Sequence, residues 1–264
     1  MISPHSRPTE RSVVDRTLSI LDSFDRDHPC LTLSDISRRS RLPVATVHRI
    51  VSKLAGWGAL ERNADGAYRI GLRLWEMAEL APRCASLAEG AQPYLVSLHV
   101  QTSAAAFIAI RDGNDVLCPS FVSSDPRAAA YFGTRGRRLP AHATSAGLVL
   151  LAYGGEEVLD AVCGGVLRAF TPATITDAEV LRNRLSTVRR QGYALVQSTL
   201  VDGRGSLSVP LRDSRGAVVA AIGVVGPVAV IEPMKLLPHV RGAADAISRH
   251  IEMVDGCRPS EVGS

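Results

Sequence analysis

Apolar positions three and four residues apart mark the first element of the chain. Val14, Leu18 and Leu21, flanked by Ile20 and Phe24, predict an amphipathic helix over "SVVDRTLSILDSF". Ser12 with Asp15 three residues on resembles a capping box. "DRDHPC" breaks the periodicity, and Thr32 with Asp35 opens a second, short helix over "LSDISRRS". "RLP" is a tight turn. Pro43 suits the first turn of a third helix, where its missing N–H has no partner to lose. Val47, Ile50, Val51 and Leu54 form the buried stripe of that helix, and "GWG" ends it. Two short strand-like pieces around Asp65-Gly66 then predict a hairpin. Three helices followed by a hairpin is the order of a winged helix-turn-helix.

"RLWEMAEL" predicts a linker helix and "RCASLAEGAQPYLVSLHVQT" a long one, with Pro82 marking a domain boundary near residue 80. Past residue 103 the pattern changes. "AAAFIAI", "DVLCPSFV" and "AAYFG" read as strands, with a turn at Asp112-Gly113 between the first two. "TSAGLVLLAYG" and "EEVLDAVC" read as helices. "TITDAEVLRNRLSTVRRQG" is another, with Thr176 and Glu179 as its capping box and Gly192 as its stop. "YALVQ", "GSLSVPLRD" and "AVVAAIGVVG" predict three more strands, the last two joined through "DSRG". "EPMKLLPHVRGAADAISRHIEMV" is a closing helix with a bend expected at Pro238. The expected fold class is α+β. Its parts are an arm at 1–10, a winged helix-turn-helix at 11–71, a linker helix at 72–82, a second domain at 83–255 and a tail at 256–264.

Composition narrows the function classes. Of 264 residues, 46% are hydrophobic and 21% charged, which excludes a disordered chain. Five scattered cysteines with no C-x-x-C pair favour neither a disulfide framework nor a zinc site, so reduced thiols are expected. "MISPHSRPTERS" has no apolar stretch of the kind a secretory signal needs. The apolar run "AVVAAIGVVGPVAVI" is too short to span a bilayer. A cytoplasmic protein without membrane attachment is the expectation.

The net charge of +4 is too small to argue for nucleic acid by itself, but its placement does. Residues 34–62 hold six basic and two acidic side chains, an excess equal to that of the whole chain. With the apolar stripe of the third helix inward, its other face presents Ala45, Thr46, His48, Arg49 and Lys53. Arg49 can bond guanine in two places, Thr46 and His48 can reach base edges, and Ala45 suits a thymine methyl. Arg38, Arg41, Lys53 and Arg62 are placed to hold phosphates, and Arg69, on the wing, the minor groove or backbone. The plainer alternative is an ordinary solvated helix pair.

Several stretches resemble the IclR family of bacterial transcription regulators. They are "SVVDRTLSILDSF", "LTLSDISRRSRLPVATVHRIVSKL", "GAYRIGLRL", "GRRLPAHATSAG", "FTPATITD" and "VRRQGYAL", in the family's order across residues 11 to 253. The resemblance implies a GAF-like C-terminal domain that binds a small organic acid. It also implies double-stranded DNA with a palindromic operator as partner, bound by homodimers or dimers of dimers, with repression the expected outcome. No cofactor or metal is implied.

By the same resemblance, backbone amides of Ser145 and Ala146 meet the effector's acid group, with Thr144 nearby. The family's remaining pocket positions fall here on Val196, Ser206, Gly223 and Val225, of which only Ser206 is polar. Such a pocket is roomier and more apolar than one for a two- or three-carbon acid, so a larger or aromatic ligand is expected, anchored by Arg137 or Arg138. The alternative is that Ser206 is a plain strand residue and the arginines form interface salt bridges. A hydrolase built on His142 and a serine is disfavoured, because no G-x-S-x-G elbow is present. A sensor acting through protein partners, with a vestigial winged helix, is the other reading; only a DNA-binding regulator would depend on Arg49.

Overall fold

The computed structural model describes residues 12–25, 27–79, 82–132 and 137–256. The chain divides into two compact units at the Pro82/Arg83 junction. The arm expected at 1–10, and all of the expected tail but Gly256, lie outside the described residues.

The first unit holds α1 (Val13–Leu21), β1 (Cys30–Leu31), α2 (Leu33–Ser40), α3 (Val44–Trp57), β2 (Leu60–Arg62), β3 (Tyr68–Ile70) and α4 (Leu72–Glu79). Both expected capping boxes are present. Ser12 and Thr32 each accept from the amide three residues on, and Asp15 and Asp35 return the bond to the cap. Arg41, in the left-handed region at φ 55°, ends α2 and makes the tight turn. Pro43 sits just before α3, its carbonyl accepting from the Val47 amide at 3.0 Å. Gly58 closes α3 at φ 90°, a conformation that favours glycine. Ile20, Ile36, Val47 and Val51 are fully buried in one small core. Each such side chain contributes on the order of 2 kcal/mol through burial. The wing is a three-stranded sheet in the order β1-β3-β2. The sequence pattern left β1 within a break, because two residues are too few for a periodicity to register.

The second unit is built on a six-stranded antiparallel sheet in the order β6-β5-β4-β9-β8-β7. In chain order its elements begin with α5 (Pro82–Thr102), β4 (Ala105–Asp112), β5 (Asp115–Val122), α6 (Pro126–Phe132), β6 (Arg138–Pro140), α7 (Ser145–Ala152) and α8 (Glu156–Cys163). They continue with α9 (Ala178–Gln191), β7 (Ala194–Gln197), β8 (Arg204–Arg212), β9 (Val218–Pro227) and α10 (Pro233–Gly256). Alternation along the strands sorts side chains onto two faces. On β4, Ala105, Phe107 and Ala109 join the core with α7 and α9. Ala106 and Ile108 join the core with α5 and α10. This is the expected α+β class with a GAF-like domain.

Two local expectations are corrected. "AAYFG" is not a strand: Ala129–Phe132 belong to helix α6. A short apolar run does not tell strand from helix, and Pro126 at the first helical position, followed by alanines, favours the helix. The cap of α9 is Asp177, which accepts from the Val180 amide at 2.9 Å, rather than Thr176. Both are good caps, and the helix starts one residue later than the spacing with Glu179 suggested.

Candidate functional site

Two surfaces carry the candidate chemistry, one in each unit. In the first, the glycine cap and the buried stripe of α3 fix which face is left to solvent. Ala45, His48, Arg49 and Lys53 are exposed there, and Thr46 is half-buried. Arg41, Arg49 and Lys53 have no ion-pair partner among the described residues. The other basic groups are partnered. Arg38 pairs with Asp35 at 2.7 Å, one turn away. Arg39 donates to the Ser23 carbonyl at 2.7 Å and pairs with Asp25, so it ties α2 to the end of α1. Arg62 lies over the Tyr68 ring at 5.7 Å and donates to the Gly66 carbonyl. Arg69 pairs with Glu61 at 2.8 Å.

Glu61 also accepts from the Leu72 amide at the start of α4, at 3.1 Å. That amide first, and then Arg69, hold its carboxyl below the usual carboxylate range. Asp35 is lowered likewise, chiefly by the Thr32 hydroxyl. These pairs are solvent-exposed and therefore weak, and a phosphate can compete for the same guanidinium groups.

In the second unit a cavity opens between the sheet and α7. Counting its open mouth, it holds about 520 Å³ of atom-free space. Phe107, Cys118, Phe121, Phe132, Val196 and Val225 give it an apolar wall. Burial pushes the Cys118 thiol up to about 12, so it stays protonated.

At one side the cavity meets the start of α7. Thr144 caps this helix by accepting from the Gly147 amide. The amides of Ser145 and Ala146 donate to no acceptor among the described residues, although both residues are buried. Buried N–H groups of this kind at a helix start attract an anion.

The neighbouring hydroxyls are committed to one another. Ser206 donates to the Val224 carbonyl at 2.9 Å. Having one proton, it then accepts from Ser145 at 2.6 Å, and Ser145 accepts from Ser208 at 2.7 Å. The rim is tied by Thr199, whose hydroxyl donates to the Ala143 carbonyl at 2.7 Å.

A sequence profile of the IclR helix-turn-helix domain matches residues 13–64, and one of the bacterial transcriptional regulator IclR C-terminal domain matches residues 83–249. The chain belongs to the IclR family of transcriptional regulators. It is 33% identical to the HTH-type transcriptional regulator XynR of Escherichia coli K12 over 80% of this chain and 84% of that one. It is 28% identical to the HTH-type transcriptional repressor AllR of Klebsiella pneumoniae over 93% and 90%. Among solved structures it resembles an IclR homolog from Microbacterium hydrocarbonoxydans complexed with 4-hydroxybenzoate. There the TM-score is 0.84 and the identity 33%, covering 91% of this chain and 99% of that chain.

As an IclR-family regulator the protein has a DNA-binding helix-turn-helix and an effector-binding C-terminal domain, and it is not an enzyme. His142 has a structural part: its Nε2 lies 3.0 Å from the Arg168 carbonyl, and its ring is 6.0 Å from Phe170. No helix among the described residues is long and apolar enough to cross a membrane.

The cavity brings together Thr144, Ser145, Ala146, Val196, Ser206 and Val225. It does not include three other expected residues. Arg138 pairs instead with Asp112, and neither it nor Arg137, just before β6, is among the lining residues. Gly223 lies behind the wall, in register with Phe107 and Ser208. A Cβ there would come within 2.3 Å of the Ser208 hydroxyl and 2.9 Å of the Phe107 ring, so its missing side chain is what lets both approach. Among the described residues, the charged one that does line the cavity is Arg204, paired with Asp125 at 3.0 Å. It lies two residues before Ser206 on β8. Period-two alternation puts it on the same face, and this was the signal available in the sequence.

Proposed function

We propose that the protein is a repressor that binds a palindromic operator as a homodimer or dimer of dimers, and that an aromatic or similarly large organic acid modulates this binding. One recognition helix reads only a few base pairs, so a symmetric pair extends the readout. On this reading Arg49, His48, Thr46 and Ala45 of α3 face the bases. Arg41, Lys53, Arg38, Arg62 and Arg69 hold phosphates. The observation that carries the DNA half is the α3 face, on which Arg49 and Lys53 stand exposed without partners among the described residues. The effector half rests on the Ser145 and Ala146 amides, without an acceptor among the described residues, beside an apolar wall. The carboxylate meets those amides and the ring lies against the phenylalanines. The related structure that holds 4-hydroxybenzoate and the relative named as a repressor support the finer reading.

The effector shifts operator affinity only by its differential affinity for the bound and free arrangements of the protein. A mobility-shift assay on the DNA upstream of the protein's own gene, across salt and a panel of aromatic and aliphatic acids, tests the reading. Retardation that weakens as salt rises, and that responds to an aromatic acid, is expected. A fragment never retarded at low salt would refute the regulator reading; indifference to every acid would refute only the effector half.

A further inference from the structure

We infer that Arg204, held by Asp125, is a specificity residue that reads an uncharged oxygen at the end of the ligand opposite its carboxylate. The inference rests on the organic-acid reading above and deepens it. The donors the cavity has to offer are few. Ser145, Ser206 and Ser208 are locked in a chain that ends on the Val224 carbonyl. Thr199 donates to the Ala143 carbonyl, and the Thr144 hydroxyl lies within reach of the Pro140 and Ala141 carbonyls. Among the described side chains that line the cavity, Arg204 is left with strong donors to spare, the Cys118 thiol being a weak one, and the Ser145 and Ala146 amides stand at the start of α7.

Their separation has a scale. Ser206 touches the Ser145 hydroxyl, and Arg204 stands two residues away on the same face of β8, about 7 Å along the strand. A benzene ring bearing oxygen groups at its two opposite ends has a length of this order, and Phe107, Phe121 and Phe132 line the space.

The charge on Arg204 is already answered. Its Nη2 bonds Asp125, while its other guanidinium N–H groups donate to nothing among the described residues. A guanidinium has five donors, so a ligand oxygen can be added without displacing the aspartate. A second carboxylate would meet Asp125 as well as Arg204, and repulsion between like charges offsets its attraction. The site therefore suits a phenol or another neutral acceptor better than a dianion. Asp125 immediately precedes α6, which carries Phe132, so the same pair also fixes this part of the aromatic wall.

Calorimetric titration of the full chain tests this with three para-related probes: benzoate, 4-hydroxybenzoate and benzene-1,4-dicarboxylate. The wild type is expected to bind 4-hydroxybenzoate about tenfold more tightly than benzoate, the scale of one hydrogen bond to a charged group. The dicarboxylate should gain no such advantage. Arg204→Met keeps the aliphatic stem and should abolish the preference, so that benzoate and 4-hydroxybenzoate bind within about twofold of one another. Asp125→Asn leaves Arg204 in place and should raise the dicarboxylate's affinity relative to 4-hydroxybenzoate by about tenfold. A preference that survives Arg204→Met, or a dianion affinity unmoved by Asp125→Asn, overturns the inference and leaves the organic-acid reading intact. If the wild type binds none of the three acids, both fall together. Should Arg204→Met fail to fold, the Asp125→Asn comparison decides the matter alone.

Discussion

Arg49 and Arg39 are the same residue type ten positions apart, and they do different things. Arg39 is bound to the Ser23 carbonyl and to Asp25, and it holds the chain together. Arg49 stands on the exposed face of α3 with no partner among the described residues. Nothing in the local sequence separates them, because their partners lie on another element, 14 to 16 residues back for Arg39. The difference predicts the effect of mutation. Arg49→Ala should weaken operator binding by about 1–3 kcal/mol, or about fivefold to more than a hundredfold, and relax base preference at one position of each half-site. Competition binding with single-base operator variants measures both, and unchanged discrimination would remove Arg49 from base reading. The same contrast applies in the second unit. Arg137 and Arg138 drew attention as a pair, whereas Arg204, single and inconspicuous, is the one that lines the cavity.

At the scale of elements, the helices with a complete start signal and a regular apolar stripe were readable. Ser12, Thr32 and Gly58 do what their sequence context requires. The elements that were missed or misread are short: β1 and α6 have two and seven residues. Such lengths are settled by pairing with other strands or by a proline cap, not by periodicity. β9 shows a subtler case. Gly223 was expected to line the pocket, and it instead makes room behind the wall for Phe107 and the Ser208 hydroxyl. Gly223→Ala should therefore act as overpacking, destabilising the protein by about 1–3 kcal/mol in denaturant titrations and weakening effector binding as Phe107 is pushed forward. A variant as stable as wild type, with unchanged ligand affinity, would show that the wall has slack there.

For the molecule as a whole, the quantity that matters is where the charge sits. Residues 34–62 carry an excess of four basic groups, so the remainder of the chain is balanced. Net charge and local charge can be separated by two variants that alter the total identically. Lys53→Glu changes the exposed face of α3, and Arg215→Glu changes an exposed turn of the second unit. The first should lower DNA affinity steeply and reduce the slope of log affinity against log salt, since a phosphate contact is lost and a repulsion gained. The second should leave both nearly unchanged, because screening at ordinary salt limits a charge's reach to about 8–10 Å. Equal losses in the two variants would mean that DNA responds to the overall charge rather than to the α3 face.

The sequence by itself determined the order of the longer elements, the caps of the first two helices and the stretch that holds the positive charge. All of these follow from short-range rules: helical spacing, capping hydroxyls, glycine and proline geometry, and the count of charges in a window. Only the tertiary structure decided which arginines are free and which are tied, that the serines close into a chain, and that Arg204 and Asp125 meet across 79 residues. Those outcomes depend on strands brought side by side in the order β4-β9-β8 and on α7 packed against them. A contact between residues far apart in the chain is fixed by the packing of whole elements, and no local pattern encodes it.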